Sequence, residues 1–382
     1  MPSTGVSRRR LMFAGAGVAV ASAAASVATA AGTAHAEPVV NPARIPDGVP
    51  LIAVDHPSTR WNPAAIVNED TSTTLQGIAF DSVNGHLYTL QIAGASQVAY
   101  LKSGSQAAIT PSIGATQHDT SGDLCLTRHD LNGNVLGHMY LLGFGHGVSL
   151  GIEPATASAP ACVWTEAGAA RNGYGQEIVR FPFVDKTVLW TSHPAVQRLA
   201  SPDPAATSMT PYVDAARGIL LLRYALGSDH WFAAYDLAAA RTAAADGSPL
   251  PAPLARIQQP FLPEADANGA PTTTAATFQG FASHGRYVYM LDGESRTGDP
   301  SLPLSGVDKW TIHTTSMDLN GVLNDPATGY IQRTHSEADA SADPREPEGM
   351  AVYTGPEGLR LCFGITNNSA TGTRQFDLYY KV

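Results

Sequence analysis

One motif recurs five times along most of the chain. Each copy starts on a short segment in which a polar residue leads into apolar ones, usually through a glycine. The five starts are Leu75-Gln76-Gly77-Ile78-Ala79-Phe80, Ser149-Leu150-Gly151-Ile152, Ser208-Met209, Phe278-Gln279-Gly280-Phe281-Ala282 and Pro347-Glu348-Gly349-Met350-Ala351-Val352. About ten residues later comes an apolar run: Leu87–Leu90, Ala161–Trp164, Ile219–Leu222, Tyr287–Met290 and Leu361–Gly364. A third segment alternates apolar and polar residues: Leu124–Leu131, Glu177–Phe181, Trp231–Leu237, Trp310–Thr314 and Phe376–Tyr380. A period of roughly 60 to 70 residues carrying several short strands implies radial β repetition, in which no unit buries its faces alone. The expected fold is all-β: a five-bladed β-propeller with four-stranded blades.

The turns keep the same register. Asp81-Ser82-Val83-Asn84-Gly85 and Asp214-Ala215-Ala216-Arg217-Gly218 both follow the first strand of a copy, and Asp130-Leu131-Asn132-Gly133 and Asp318-Leu319-Asn320-Gly321 both follow the third. Fourth strands are predicted at 137–142, 187–190, 254–257 and 330–333. The chain ends on a third strand, so the last blade lacks its own fourth. Trp61–Val67, one strand ahead of the first copy, is expected to supply it and close the ring, which removes the open edge. Inserts at 194–207, 238–253, 261–277 and 294–307 are polar and rich in Pro, Ala and Gly and read as surface loops.

Residues 1–36 read as a twin-arginine signal peptide. Ser7-Arg8-Arg9-Arg10-Leu11-Met12-Phe13 precedes an Ala-rich apolar stretch and the cleavage site Ala34-His35-Ala36. A Pro-rich lead-in at 37–60 then precedes the propeller domain, 61–382. Secretion by the twin-arginine route, to an extracellular or wall-associated place, is the expected localisation, with no transmembrane segment after cleavage and a monomeric protein. The formal net charge is −10. The signal carries only Arg8, Arg9 and Arg10 as charges, so the mature chain keeps 20 basic against 33 acidic residues, a net of −13. Such a surface argues against nucleic acid as a partner and means that a polyanion must be gripped by local arginines. Three cysteines, Cys125, Cys162 and Cys362, sit in apolar strands and do not have metal-thiolate spacing; buried free thiols and a Cys125–Cys162 bridge are both open. No cofactor motif is evident, no metal ligands are assigned, and a divalent cation in the channel is left open.

In a propeller the first strands line the central channel, so polar residues at their starts converge on one mouth. These are Gln76, His146 or Ser149, Ser208, Gln279 and Glu348. Three glycines surround His146 in Gly143-Phe144-Gly145-His146-Gly147, which lets the backbone approach something closely. Arg345 and Glu348, in a segment stiffened by Pro344 and Pro347, face the mouth or staple the ring closure. Trp164 offers a ring for a sugar or belongs to the core, with Glu166 beside it. Lyase chemistry needs a proton abstractor and a cation beside a uronate; His146, Tyr88 or Tyr174, and Arg171 or Arg345 are the candidates. Glu153 and Glu348 are the acid/base candidates for a hydrolase. The ligand-binding set is Gln76, Ser149, Glu153, Trp164, Arg171 and Gln279; the catalytic set is His146, Arg345, Glu348 and Tyr88.

The segments Leu75–Asp81, Met139–Gly147, Trp164-Thr165-Glu166 and Pro347–Ala351 resemble the five-bladed propeller shared by TagC-type teichoic-acid-associated proteins and staphylococcal phage receptor-binding proteins. The similarity spans roughly residues 60 to 382. It implies recognition of a surface glycopolymer such as wall teichoic acid, and it carries no catalytic residue over. The chain differs from the phage proteins in bearing an export signal and lacking their stem and tower regions. Three functions follow as expectations: a secreted propeller that binds a cell-wall or extracellular polysaccharide, a polysaccharide lyase or glycopolymer hydrolase, and a scaffold for a protein partner.

Overall fold

The computed structural model describes residues 44–62, 64–69, 71, 73–94, 98–100, 106–108, 121–266, 270–293, 312–322, 332–335, 346–368 and 372–382. The proposed signal peptide, Arg345 and the insert 294–307 lie outside them. Five antiparallel sheets form the blades of a propeller. From the axis outward, the first blade runs Leu75–Asp81, His86–Ile92, Leu124–Asp130 and Val135–Leu142. The second runs Gly151–Glu153, Cys162–Ala167, Glu177–Pro182 and Gln197–Leu199, and the third Thr207–Asp214, Ile219–Leu226, Asp229–Asp236 and Ala255–Gln258. The fourth runs Phe278–His284, Tyr287–Asp292, His313–Asp318 and Gln332–His335; the fifth Glu346–Gly355, Gly358–Asn368 and Arg374–Lys381.

The fifth blade takes its outermost strand from the N-terminal side of the chain, as the missing strand required. Thr59 and Arg60 pair with Tyr380 and Tyr379, Trp61 N–H donates to the Leu378 carbonyl at 2.7 Å, and Ile66 bridges to Phe376. Trp61 lies among Phe80, Tyr353 and Tyr380, with the Arg360 guanidinium over its ring. The lead-in before it is packed rather than loose. Ile45, Ile52 and Val54 are buried, and their backbone bonds reach Asn320, Tyr289 and Thr314 of the fourth blade.

Two local expectations are corrected. Thr187–Trp190 is not the fourth strand of the second blade: it adds in parallel to Val135–Leu142 as a fifth strand of the first, and Gln197–Leu199 takes its place. An outermost strand is short and touches one neighbour, so its sequence does not encode which sheet it joins. The insert after Asp236 is not all loop. An α-helix, α1 (Leu237–Asp246), runs through its Ala-rich stretch, capped by the Asp236 carboxylate on the Ala239 amide and by left-handed Gly247.

The second strands read as unbroken apolar runs because blades pack face to face and bury both of their sides; Leu87, Tyr88, Thr89 and Leu90 are all inaccessible. The equivalent aspartates at the ends of inner strands tie blade to blade. Asp81 accepts from the amides of Asn84 in its own turn and Ala155 in the second blade. Asp214 accepts from Arg217 in its turn and Gly285 in the fourth blade. All three cysteines are free thiols. No helix among the described residues is long and apolar enough to cross a membrane.

At the axis the inner strands touch through glycine. A Cβ added to Gly77 would lie 2.5 Å from the Gly147 carbonyl oxygen; one on Gly349 would lie 2.7 Å from the Ile78 nitrogen; one on Gly280 would lie 3.0 Å from the Gly349 Cα. Gly349 also has φ +69°. Gly218 shares the positive φ (+66°) but has nothing within 4 Å of its would-be Cβ. Gly218→Ala is therefore expected to cost about 1 kcal/mol, the strain of a left-handed alanine, whereas Gly349→Ala adds a backbone clash and is expected to cost about 4 kcal/mol; urea midpoints of the two variants check this.

Candidate functional site

The contacts at Gly77, Gly280 and Gly349 each accompany a β-bulge, and a fourth inner strand bulges at Ser208-Met209 without a glycine. The register of the inner strand against its neighbour slips between Leu75 and Gly77, Thr207 and Thr210, Phe278 and Gly280, and Glu348 and Met350. A bulge leaves one residue out of the ladder and re-aims its side chain. The bulges fall at Gln76, at Ser208-Met209, at Gln279 and at the Glu348-Gly349 step. Gln76, Gln279 and Glu348 meet in one cavity of about 440 Å³ with Thr73, Thr74, His146, Tyr174, Phe278, Glu346 and Arg374.

His146 reaches the cavity on a turn wrapped around a buried carboxylate. Glu166, inaccessible to solvent, accepts from the amides of Gly147 at 2.5 Å and Gly175 at 2.6 Å, and also from those of His146 and Val148. A Cβ on Gly145 would overlap the Glu166 side chain, and one on Gly175 would lie 2.5 Å from its Cβ. The glycines around His146 thus serve close approach to Glu166 and to Gly77. The imidazole stacks on Tyr174, with ring centres 4.8 Å apart and planes at 24°.

The carboxyl groups of Glu346 and Glu348 are both held above the ordinary range. For Glu348, burial is the main cause and the Glu346 charge adds to it, with a hydrogen bond from Gln76 (3.3 Å) opposing. For Glu346, burial is again first, opposed by a hydrogen bond from Gln279 and the Arg374 charge. Burial and mutual repulsion thus raise the proton affinity of both carboxyls, Glu348 the more strongly. Among the described residues, no three His, Cys, Asp or Glu side chains cluster so as to hold a metal ion.

Other candidates lie elsewhere. Tyr88 is fully buried against Phe183, with its hydroxyl pushed up to about 12 by desolvation; it belongs to the packing of a second strand, not to the channel. Trp164 is inaccessible and donates Nε1–H to Glu153 at 2.7 Å. Glu153 ends its inner strand away from the mouth, bound by Arg180 at 2.6 Å and Arg241 at 2.7 Å, which together with Trp164 overcome its desolvation and hold its carboxyl low. Ser149 is buried, and its hydroxyl has no hydrogen-bond partner among the described residues. Arg171 is exposed on the turn that carries Asn172 and Tyr174 and does not line the cavity. Glu346 and Arg374 were missed. Glu346 alternates with Glu348 across Pro347, a signal legible in the sequence; Arg374 starts a strand two residues earlier than its apolar pattern shows.

A second cavity of about 510 Å³ opens between the third and fourth blades. It shares Val148, Tyr174, Thr277 and Phe278 with the first.

Three comparisons bear on this architecture. The family model described as the phage 5-bladed beta propeller receptor binding platform domain matches residues 107–380. Among solved structures, the tail fibre of a Staphylococcus aureus phage superposes with a TM-score of 0.55 at 16% identity, over 85% of this chain and 53% of the fibre, so the chain spans about half the fibre's length. A nidogen/laminin complex (TM-score 0.34, 10% identity, 80% of each chain) and an endo-1,4-β-xylanase from Bacteroides thetaiotaomicron (0.35, 9%, 81% of this chain and 91% of that one) are more distant. No curated protein matches the sequence.

Burial holds the Glu166 carboxyl up to about 7 against an ordinary 4.5. The folded chain therefore binds this proton more tightly than the unfolded chain. The associated stability is fully present below 4.5 and is lost as pH rises through 7. Wild type is expected to lose about 3 kcal/mol from this group between pH 4.5 and 8. Glu166→Gln lacks that slope, which urea titrations of both proteins at pH 5 and pH 8 would measure.

Proposed function

Because the chain belongs to the phage five-bladed β-propeller receptor-binding platform family, we propose that it is a recognition propeller that holds a surface polysaccharide at the mouth of its central channel. The observation that carries this is the 440 Å³ cavity itself. Amides from two blades, Gln76 and Gln279, stand beside a carboxyl pair of raised proton affinity and two aromatic surfaces, Phe278 and the stacked His146–Tyr174 pair. Directional neutral donors with flat apolar faces suit sugar hydroxyls and the ring faces between them. The polymer we favour is a cell-wall glycopolymer of the teichoic-acid kind, and the twin-arginine segment at Ser7–Phe13 fits delivery to the compartment where such a polymer lies.

A second function is favoured by one observation: a carboxyl kept protonated beside a carboxylate, with an imidazole in the same cavity, is the equipment of general acid–base cleavage. In it Glu348 protonates a leaving oxygen and His146 or Glu346 takes a proton from water or from the sugar.

Mature protein, residues 37–382, incubated with purified wall glycopolymers and uronate polysaccharides and followed by mass spectrometry separates the two. Recognition predicts retention of a polymer without new end groups; cleavage products would overturn it in favour of the enzyme. Gln279→Ala is expected to weaken retention about tenfold, one lost hydrogen bond with its partner left unpaired. Glu348→Gln keeps a neutral donor. It should bind like wild type at low pH and outlast it as pH rises, because only the native acid ionises.

A further inference from the structure

Arg223 sits on the second strand of the third blade, opposite Thr210 and Phe232 on the neighbouring strands. Its exposure is 7%, and it lines the 510 Å³ cavity between the third and fourth blades. Nε donates to Gln259 Oε1 at 2.6 Å, and the guanidinium carbon lies 3.7 Å over the Phe278 ring. Among the described residues no carboxylate pairs with it. Arg180, Arg286 and Arg333, all less buried, pair with Glu153, Asp318 and Asp292. Asp229 also lines the cavity but makes no ion pair with Arg223. Desolvation without a counter-charge pulls the guanidinium down to about 9, and the same burial with the Arg223 charge lowers neighbouring His230 to about 4, so His230 is neutral and adds no charge.

One further feature of this cavity lacks a structural use. Thr210 is 2% exposed, yet its hydroxyl has no hydrogen-bond partner among the described residues. Ser208, which also lines the cavity, lies in the β-bulge of its strand with φ +49°. At the rim, Phe261 is 61% exposed, a large ring left in water. A buried fork-shaped cation, an idle hydroxyl and an exposed ring describe a site short of one partner.

We propose that this cavity is an oxyanion subsite in which Arg223, with the Thr210 and Ser208 hydroxyls, takes a phosphodiester or carboxylate of a polymer whose adjoining sugar lies on Phe261. The four residues shared with the mouth let one polymer occupy both cavities. The polymer's identity as a glycopolymer rests on the function proposed above; the anion requirement does not. In a chain of net charge −10 the overall field repels such a group, so a local cation favours it here.

Calorimetry of mature wild type, R223Q and T210V against three probes tests this: a glycerol-phosphate oligomer, an oligogalacturonate and an uncharged N-acetylglucosamine oligomer. At least one anionic probe is expected to bind wild type, more weakly at higher salt, with phosphodiester and carboxylate told apart by which one binds. R223Q should weaken it at least tenfold and T210V several-fold, both leaving the uncharged probe unaffected. R223Q should also melt no lower than wild type, since it removes an uncompensated buried charge. Should R223Q fail to fold, T210V decides alone. Wild-type affinity of both variants for the anionic probes would overturn the subsite. So would binding of the uncharged probe alone, which would leave recognition at the mouth standing. Binding of no probe by wild type overturns both.

Discussion

Everything at the mouth depends on how closely five inner strands approach one axis. Gly77 meets Gly147 and Gly349 meets Gly77 and Ile78 at distances that admit no Cβ, and Gly280 meets Gly349 at a distance that barely does. Backbone in that proximity cannot keep regular pairing with its own sheet while its next side chain also fits, so the strand bulges beside the glycine. The residue just before it, Gln76, Gln279 or Glu348, is turned into the channel mouth. In these three strands the missing Cβ goes with both the close approach at the axis and the polar group presented beside it. A ligand meets a shallow floor of backbone with amide and carboxyl groups standing on it.

Buried charge joins the blades where apolar packing cannot. Glu166 gathers four backbone amides that no strand partner satisfies, and the turn bearing His146 takes its shape from that carboxylate. Asp81 and Asp214 do the same on a smaller scale, each bonding one amide of its own turn and one of another blade. Apolar contact between blades is tolerant of small slips; a carboxylate sharing two or more amides is not. Apolar faces supply the adhesion here and the carboxylates set the register.

Periodicity made the fold legible. Glycine at the strand starts, Asp at the first turn and a chain ending one strand short gave five blades and an N-terminal closure, and Thr59–Ile66 supplies that closure within two residues of the segment expected. The mouth was partly legible for the same reason: Gln76, Gln279, Glu348 and His146 occupy repeat positions. What escaped did so physically. Tyr88 and Trp164 carry polar atoms, but they lie on second strands, which blades cover on both faces, so polarity there reports an internal hydrogen bond or a buried hydroxyl. Glu153 follows its strand's glycine rather than preceding it and so points to the far end, where Arg180 and Arg241 wait from segments no local pattern connects. Arg223 stood inside an apolar run, Ile219–Leu226, where one arginine looks incidental. Only the sheet register sets it against Thr210 and over Phe278.

The two ends of the inner strands differ in a way that folding alone does not require. At the finishing end, Asp81 and Asp214 each hold two amides and Glu153 has three donors, so each acid there is matched by donors. At the starting end, Glu348 has one weak donor and a like-charged neighbour, Arg223 has no counter-charge and Thr210 has an idle hydroxyl. Local conflicts at the starting end are expected where a partner supplies what the fold withholds. Hydroxyls for the amides and the protonated carboxyl, and an anion for the guanidinium, would satisfy that face together, and a charged polysaccharide carries both.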